Sequence, residues 1–106
     1  MADALLVDPL GQPVELLEDT WVRHIVVGHP ELASLRRWAE RAITAPVAVT
    51  ESANQATHPT GVQYYGACGR PGLYLMVATE EVIGGRRLVK TAHLVKRLGA
   101  GRQLWP

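Results

Sequence analysis

The hydrophobic pattern changes its period at Pro46, and this change constrains the fold more than any other feature. Before Pro46, apolar residues recur at helical spacing, as in the stripe Leu32, Leu35, Ala39, Ala42 and Ile43. Pro46 ends this helix because the residue before a proline avoids the helical region. After Pro46, short segments rich in β-branched and aromatic residues alternate with turns, which is typical of strands. The sequence therefore predicts an α+β domain, with N-terminal helices packed on a four-stranded antiparallel sheet.

The chain of 106 residues has the length of one domain, and the prediction covers residues 1–106 as a single unit. Pro9, Gly11 and Pro13 interrupt the first segment, which is expected to be an irregular arm or a short edge strand. Thr20 is expected to cap the first helix, and Trp105 to dock the end of the chain. The predicted divisions are an N-terminal arm at 1–19, helices at 20–45, the sheet at 47–95 and a tail at 96–106. Strands are expected at 47–52, 62–67, 73–79 and 86–95.

The net charge of +1 conceals an uneven distribution along the chain. Residues 1–60 contain four basic and eight acidic residues, whereas residues 61–106 contain seven basic and two acidic residues. A basic half attracts polyanions such as RNA. The alternative is ordinary solvated surface charge.

Cysteine content and the chain start indicate the compartment. The one cysteine, Cys68, cannot form an intramolecular disulfide, which fits a reducing environment. The start lacks a basic segment followed by a long apolar run, so no signal peptide is expected. No stretch approaches the roughly 18 apolar residues that a membrane helix needs. We therefore expect a cytoplasmic protein with no membrane partner.

Histidines are the main candidates for catalysis, because their ordinary pKa of about 6.5 suits acid and base roles. His93 lies on the fourth predicted strand and shares a face with Thr91, about 7 Å away. His24 lies on the first helix, and His29 precedes the second. Each also has a structural interpretation, as a strand-end, exposed or helix-capping histidine. His58, in the polar loop 53–61, is the weakest candidate.

Basic and aromatic residues near the strands are candidates for substrate binding. Arginine binds two phosphate oxygens at once through its planar fork. The basic candidates are Arg70, Arg86, Arg87 and Lys90, and each could equally be a surface charge. Tyr64 and Tyr65 face opposite ways, so one is expected in the core, while Tyr65 could stack on a base.

The residue patterns that metal-dependent, nucleotide-binding or thiol chemistry would need are missing or weak in this sequence. His24 and His29 are five positions apart, not the four of a helical zinc site. All three aspartates lie near the N-terminus, which disfavours an acidic two-metal site on the sheet. There is no phosphate-binding loop, and Cys68 in a glycine-rich turn is weak evidence for thiol chemistry. No metal and no cofactor are expected.

Taken in order, the short motifs of this chain resemble one group of ribonuclease domains. The motifs are Trp21-x-x-His24-Ile25, His29-Pro30-Glu31-Leu32, Pro46 before a strand, Tyr64-Tyr65, Lys90-Thr91-Ala92-His93 and Leu104-Trp105. This order resembles the phage and bacterial barnase–EndoU–colicin–RelE-like (BECR) domains over roughly residues 20 to 105. The resemblance implies a metal-independent endoribonuclease of toxin type, with a catalytic histidine at His24, a phosphate-binding basic residue on the sheet, and a closing motif at Thr91 and His93. Histidine at that last place departs from the tyrosine common in the group.

The resulting hypothesis is that His24 and His93 act as an acid/base pair on RNA and leave a 2′,3′-cyclic phosphate. Thr91 and one of Arg86, Arg87 or Lys90 would stabilise the phosphate. An antitoxin or immunity protein would be the natural partner. The alternative is a non-catalytic binding module, either a phage accessory domain or a partner of an antitoxin-like protein, that uses the same sheet. A toxin that transfers nucleotidyl or ADP-ribosyl groups has no supporting motif.

Overall fold

The computed structural model describes residues 2–106, so Met1, the first residue of the predicted arm, lies outside the described residues. The strands are β1 (Ala4–Val7), β2 (Pro13–Leu16), β3 (Ala48–Glu51), β4 (Val62–Gly66), β5 (Tyr74–Glu81), β6 (Arg87–Val95) and β7 (Gln103–Trp105). The helical segment α1 spans residues 18–28 and is α-helical at Glu18–Thr20 and Val26–Gly28 but π-helical at Trp21–Ile25. A 3₁₀ turn at Pro30–Leu32 leads to helix α2 (Arg36–Thr44).

The described residues form one curled sheet of seven strands, in the order β1-β2-β6-β5-β4-β3-β7. Neighbouring strands are antiparallel except β2 and β6, which run parallel and pair at Glu15 and Leu88. The prediction of N-terminal helices on a four-stranded antiparallel sheet is therefore wrong. Two strands precede the helices, the sheet is mixed, and the tail adds a seventh strand.

The N-terminal segment, predicted as an arm, forms the hairpin β1–β2. Asp8 directly follows β1, and its Oδ1 accepts hydrogen bonds from the backbone N–H groups of Leu10 and Gln12. Gly11 adopts φ of +82°, which glycine tolerates. Pro13 opens β2, where its missing N–H is tolerated. The residues that suggested an irregular arm thus build a tight turn between two strands.

The core fills the space between the helical segments and one face of the sheet. Trp21 and Ile25 of α1 and Ala42 and Ile43 of α2 are buried against residues from the strands. Gly66 lets α2 approach β4 directly, since a Cβ at that position would lie 2.6 Å from the Cα of Ala42. The first helix begins at Glu18, two residues before the predicted cap.

Polar side chains beneath the hairpin form a second stabilising element. The Tyr64 hydroxyl donates to Asp8 Oδ2 at 2.6 Å, and both residues are buried. Burial, and then this bond to Asp8, raise the pKa of Tyr64 far above its ordinary value. The Arg87 guanidinium, also buried, donates to Gln12 Oε1, to the carbonyl of Thr60 and to Thr79 Oγ1. These bonds fasten the hairpin to the centre of the sheet.

The C-terminal segment, predicted as a docked tail, returns along β3. Residues of β7 pair with Val49 and Thr50, and Trp105 packs against the core. The backbone N–H of Gly99 donates to the Tyr65 hydroxyl at 2.9 Å. The segment therefore covers part of the sheet face that is opposite to the helices.

Within residues 2–106, every helix is too short, or too polar, to cross a lipid bilayer.

Candidate functional site

A β-bulge in β6 places the candidate site residues on the sheet face away from the core. Ala78 pairs with Thr91 and Thr79 pairs with Val89, so Lys90 is an extra residue in β6. The extra residue changes the alternation of the strand, with Val89 and Ala92 both buried in the core. Thr91 and His93 therefore share the opposite face. Because of the bulge, Lys90 also lies at this face, whereas the alternation of a regular strand would turn it away.

This face carries a hollow of about 190 Å³ between β6, β5, β4 and the loop 52–61. Met76 and Ala78 of β5 contribute apolar surface. The polar residues that line the hollow are Ser52, His58, Gln63, Thr79, Glu80, Lys90, Thr91 and His93. Small-molecule sites commonly measure roughly 300–1,000 Å³. The hollow therefore suits a single group, such as one phosphodiester linkage of a polymer, better than a whole cofactor.

His93 is half-buried at one end of the hollow and contacts His29 from the end of α1. The two imidazole centroids lie 5.6 Å apart, with the ring planes tilted by 32°. His29 Nδ1 lies 3.4 Å from the Glu31 carboxylate. Burial, and secondly the positive charge of His29 when it is protonated, lower the pKa of His93 below its ordinary value. The lowered pKa favours the neutral imidazole of His93, which is the form that accepts a proton.

His58 and Glu80 form a dyad at the other end of the hollow. His58 Nδ1 lies 2.9 Å from Glu80 Oε1, so the carboxylate orients the imidazole. Met76, which pairs with His93, is four residues from Glu80 on β5, so roughly 13 Å of strand separates the two ends. The sequence ranked His58 lowest because it lies in a polar loop. A carboxylate partner 22 residues away leaves no local signal.

His24 lies in the exposed part of α1 and lines a neighbouring groove rather than the hollow. Lys90 and Glu80 line both cavities, so the groove and the hollow adjoin. The structure brings Thr91 and Lys90 together with His93. His29, rather than His24, makes ring contact with His93, so a direct pairing of His24 and His93 stays a prediction.

Two of the predicted phosphate-binding arginines are engaged elsewhere. Arg86 forms a two-point ion pair with Glu15, at 2.7 and 2.8 Å. Arg87, predicted to bind substrate, does not line the hollow; its buried guanidinium donates to the hairpin and to Thr79. Arg70 is exposed in the turn between β4 and β5, outside the hollow.

Tyr65, which was predicted to stack on a base, lies in the interior instead of at the surface. Tyr65 is only 1% exposed, and its hydroxyl donates to Gln63 Oε1 at 2.7 Å. Tyr64 is buried on the opposite face of the sheet. Cys68 is buried too, and its thiol donates to the carbonyl of Leu73.

The histidines do not gather with other potential ligands into a metal-binding group. Across the part of the chain that the structure describes, no three or more histidine, cysteine, aspartate or glutamate side chains are arranged to hold a metal ion.

Comparison with known proteins finds no match to this chain among protein-family models, curated proteins or solved structures. The residues and geometry of the hollow are therefore the basis for a functional proposal.

Proposed function

We propose that this protein is a metal-independent endoribonuclease of toxin type, which cleaves RNA by attack of the ribose 2′-OH. The observation that supports this most strongly is that His93, Thr91, Lys90 and the His58–Glu80 dyad line one hollow. Such cleavage needs a base, an acid and a donor for phosphate charge, and the hollow contains each. The order of motifs in the sequence, which resembles that of BECR ribonucleases, is consistent with the same chemistry.

His93 is the proposed general base. A base must be unprotonated at working pH, and burial together with His29 favours that form of His93. In the first step His93 takes the proton of the 2′-OH, and the 2′-oxygen attacks phosphorus. The product is a 2′,3′-cyclic phosphate.

His58 is the proposed general acid. As the 2′-oxygen attacks, the bond between phosphorus and the 5′-oxygen breaks, and that oxygen takes a proton from His58. An acid and a base that act in line must lie on opposite sides of phosphorus, and the proposal therefore places phosphorus between the two ends of the hollow. His29 fits the acid role less well, because its direct contact with His93 leaves no space for a phosphate between the rings. His24, from the adjoining groove, is the alternative acid.

Lys90 and Thr91 are the proposed stabilisers of the phosphate. The transition state gathers negative charge on the non-bridging oxygens, and preorganised donors lower its energy. Lys90 supplies a positive charge and Thr91 a hydroxyl at the middle of the hollow. This assignment follows from the bulge, which brings both side chains to one face.

The test is cleavage of a single-stranded RNA in EDTA by the wild type and by His93→Gln. General acid–base catalysis contributes about 10²- to 10⁴-fold, so His93→Gln should lose at least about a hundredfold in rate. His58→Gln should fall similarly, and His24→Gln should stay near wild type. A rate abolished by EDTA, or unchanged in His93→Gln, would remove the mechanism. If the cleavage rate fell in His24→Gln and was retained in His58→Gln, the general acid would be His24 instead of His58.

The alternative of a binding module predicts a different result in the same assay. A module that binds RNA or a protein through the same face would give no cyclic phosphate, and its expression would leave growth unaffected. A toxin ribonuclease should arrest growth of its host, and His93→Gln should relieve the arrest.

A further inference from the structure

The eleven basic residues of the chain divide into two groups by their contacts. Carboxylates pair with Arg23, Arg36, Arg86 and Arg102, at distances of 2.7 to 3.1 Å, and Arg87 is buried in hydrogen bonds. Six others form no ion pair with any described carboxylate: Arg37, Arg41, Arg70, Lys90, Lys96 and Arg97. Lys90 lines the hollow. The other five, which are called the basic end, are Arg37, Arg41, Arg70, Lys96 and Arg97.

The fold places the basic end beyond the end of β6 that carries His93. Lys96 and Arg97 directly follow Val95, which pairs with Tyr74 at the start of β5. The turn with Arg70 leads into the same start of β5. The basic end is thus close to His93 along the chain, since Lys96 lies three residues beyond His93, directly after β6.

Helix α2 adds two arginines to the basic end through its contact with this turn. Gly69 adopts φ of +81° and packs on Trp38, where a Cβ would lie 3.2 Å from the indole Cζ2. The guanidinium carbon of Arg41 lies 5.1 Å from the centroid of the Trp38 ring. Trp38 therefore joins α2 to the turn and holds Arg41 in place by a cation–π contact.

Arg37 and Arg41 lie one helical turn apart and line a shared depression with Ser34 and Trp38. Like charges at this spacing repel each other and destabilise a helix. A nearby carboxylate would offset the repulsion between Arg37 and Arg41. On the same helix, Glu40 supplies such a carboxylate to Arg36. Here an anionic ligand could supply the missing negative charge.

We infer that the basic end binds the phosphates of single-stranded RNA next to the linkage held in the hollow. The inference rests on the proposed function, and it extends the substrate from one linkage to a strand of several nucleotides. Single-stranded RNA is favoured because its phosphates recur along a flexible backbone, which can reach both the sheet face of the hollow and the outer side of α2.

The experiment measures binding of a fluorescent ten-nucleotide 2′-O-methyl RNA by anisotropy across a range of salt concentrations. The methyl group removes the attacking hydroxyl, so binding is measured without cleavage. The test variant is Arg37→Gln/Arg41→Gln. The matched control is Arg86→Gln/Arg102→Gln, which removes the same charge from two exposed arginines that carboxylates already hold.

Each phosphate contact on a single strand contributes about 0.7 to the slope of log affinity against log salt. The test variant should therefore lose about 1.4 from the slope and about tenfold or more in affinity near 0.1 M salt. The control should change little, and Arg37→Lys/Arg41→Lys should retain the slope because the charge remains. A dinucleotide, too short to span both regions, should bind test variant and wild type alike.

Equal slopes for the test variant and the control would overturn the inference. So would a slope in the test variant that matches the wild type. Cleavage of ordinary RNA by the wild type is measured separately and decides the proposed function. If the wild type cleaved RNA but the test variant kept the wild-type salt slope, only the inference about the basic end would be refuted. If the slope changed but the wild type did not cleave RNA, only the catalytic proposal would be refuted. Thermal unfolding midpoints confirm that each variant folds.

Discussion

The basic residues at the start of β6 contact other residues of the fold, whereas the basic residue in the middle of β6 faces the hollow. Arg86 and Arg87, at the start, are held by Glu15 and by the buried bonds to Gln12, Thr60 and Thr79. Lys90, in the middle, faces the hollow and is exposed. The difference follows from the hairpin β1–β2, which pairs with β6 only at Leu88. The hairpin supplies Glu15 to Arg86 and Gln12 to Arg87, and β2 ends one residue after Glu15, so it offers no such partner to Lys90.

The largest effect that would sharpen this comparison is expected from Arg87→Met. The substitution leaves the buried acceptor of Thr79 and the part-buried acceptors of Gln12 and Thr60 without their donor, and a buried acceptor costs about 1–3 kcal/mol when unsatisfied. Allowing for relaxation, we expect the free energy of unfolding to fall by about 2–4 kcal/mol. Urea denaturation measures this as a lower midpoint at an unchanged slope. Arg86→Met, whose side chain is exposed, should change far less, and equal losses in the two variants would break the comparison.

A smaller effect is expected from Lys90→Gln, this time on catalysis rather than on stability. Removing the positive charge from the hollow should reduce kcat/KM for RNA cleavage by about tenfold, or ~1.4 kcal/mol of transition-state stabilisation. Lys90→Arg should retain most of the rate. Steady-state cleavage of a defined oligonucleotide measures both. If Arg86→Gln reduced the rate more than Lys90→Gln, the assignment of roles along β6 would be reversed.

The smallest effect is expected from His29→Asn, which removes one of the two causes that lower the pKa of His93. Burial remains, so the pKa of His93 should rise toward its ordinary value of about 6.5 without reaching it. Titration of the His93 ring protons by NMR measures this directly. A fall in the pKa would mean that the contact with His29 favours the protonated ring.

The same lowered pKa fixes the sign of a pH effect on folding. His93 binds a proton more weakly in the folded chain than in the unfolded chain. Its contribution to stability is therefore fully present above the unfolded pKa of about 6.5, and it is lost as the pH falls through the folded value. His93→Gln should flatten the decline of stability with acid over this range.

The sequence was informative where strands are signalled by their own residues. Segments 47–52, 62–67 and 86–95 contain β3, β4 and β6, and segment 73–79 covers β5 except its last two residues. The reason is that β-branched and aromatic runs between turns favour extended structure locally. The hairpin was missed because Pro9, Gly11 and Pro13 favour a turn and an irregular arm equally. The two hydrogen bonds that Asp8 Oδ1 accepts from backbone N–H groups distinguish the turn from an irregular arm.

The candidate site was predictable only in part. Thr91 and His93 were expected on one face, and the structure places them there. Burial of Tyr65 and Arg87 depends on the tail and the hairpin, which the sequence did not place. The partnership of His58 with Glu80 joins a loop to a distant strand, and no local pattern encodes such a contact.

The extra residue in β6 acts as a phase shift in the two-residue repeat of the strand. In a regular strand, positions 89, 91 and 93 would all point the same way, and Val89 is committed to the interior. A strand that kept Lys90 but had no bulge would have to bury an imidazole and a hydroxyl, or else withdraw valine from the packed interior. Deletion of position 90 would instead leave Val89, Thr91, Ala92 and His93 in regular alternation, so the bulge adds Lys90 to the strand without turning its neighbours over.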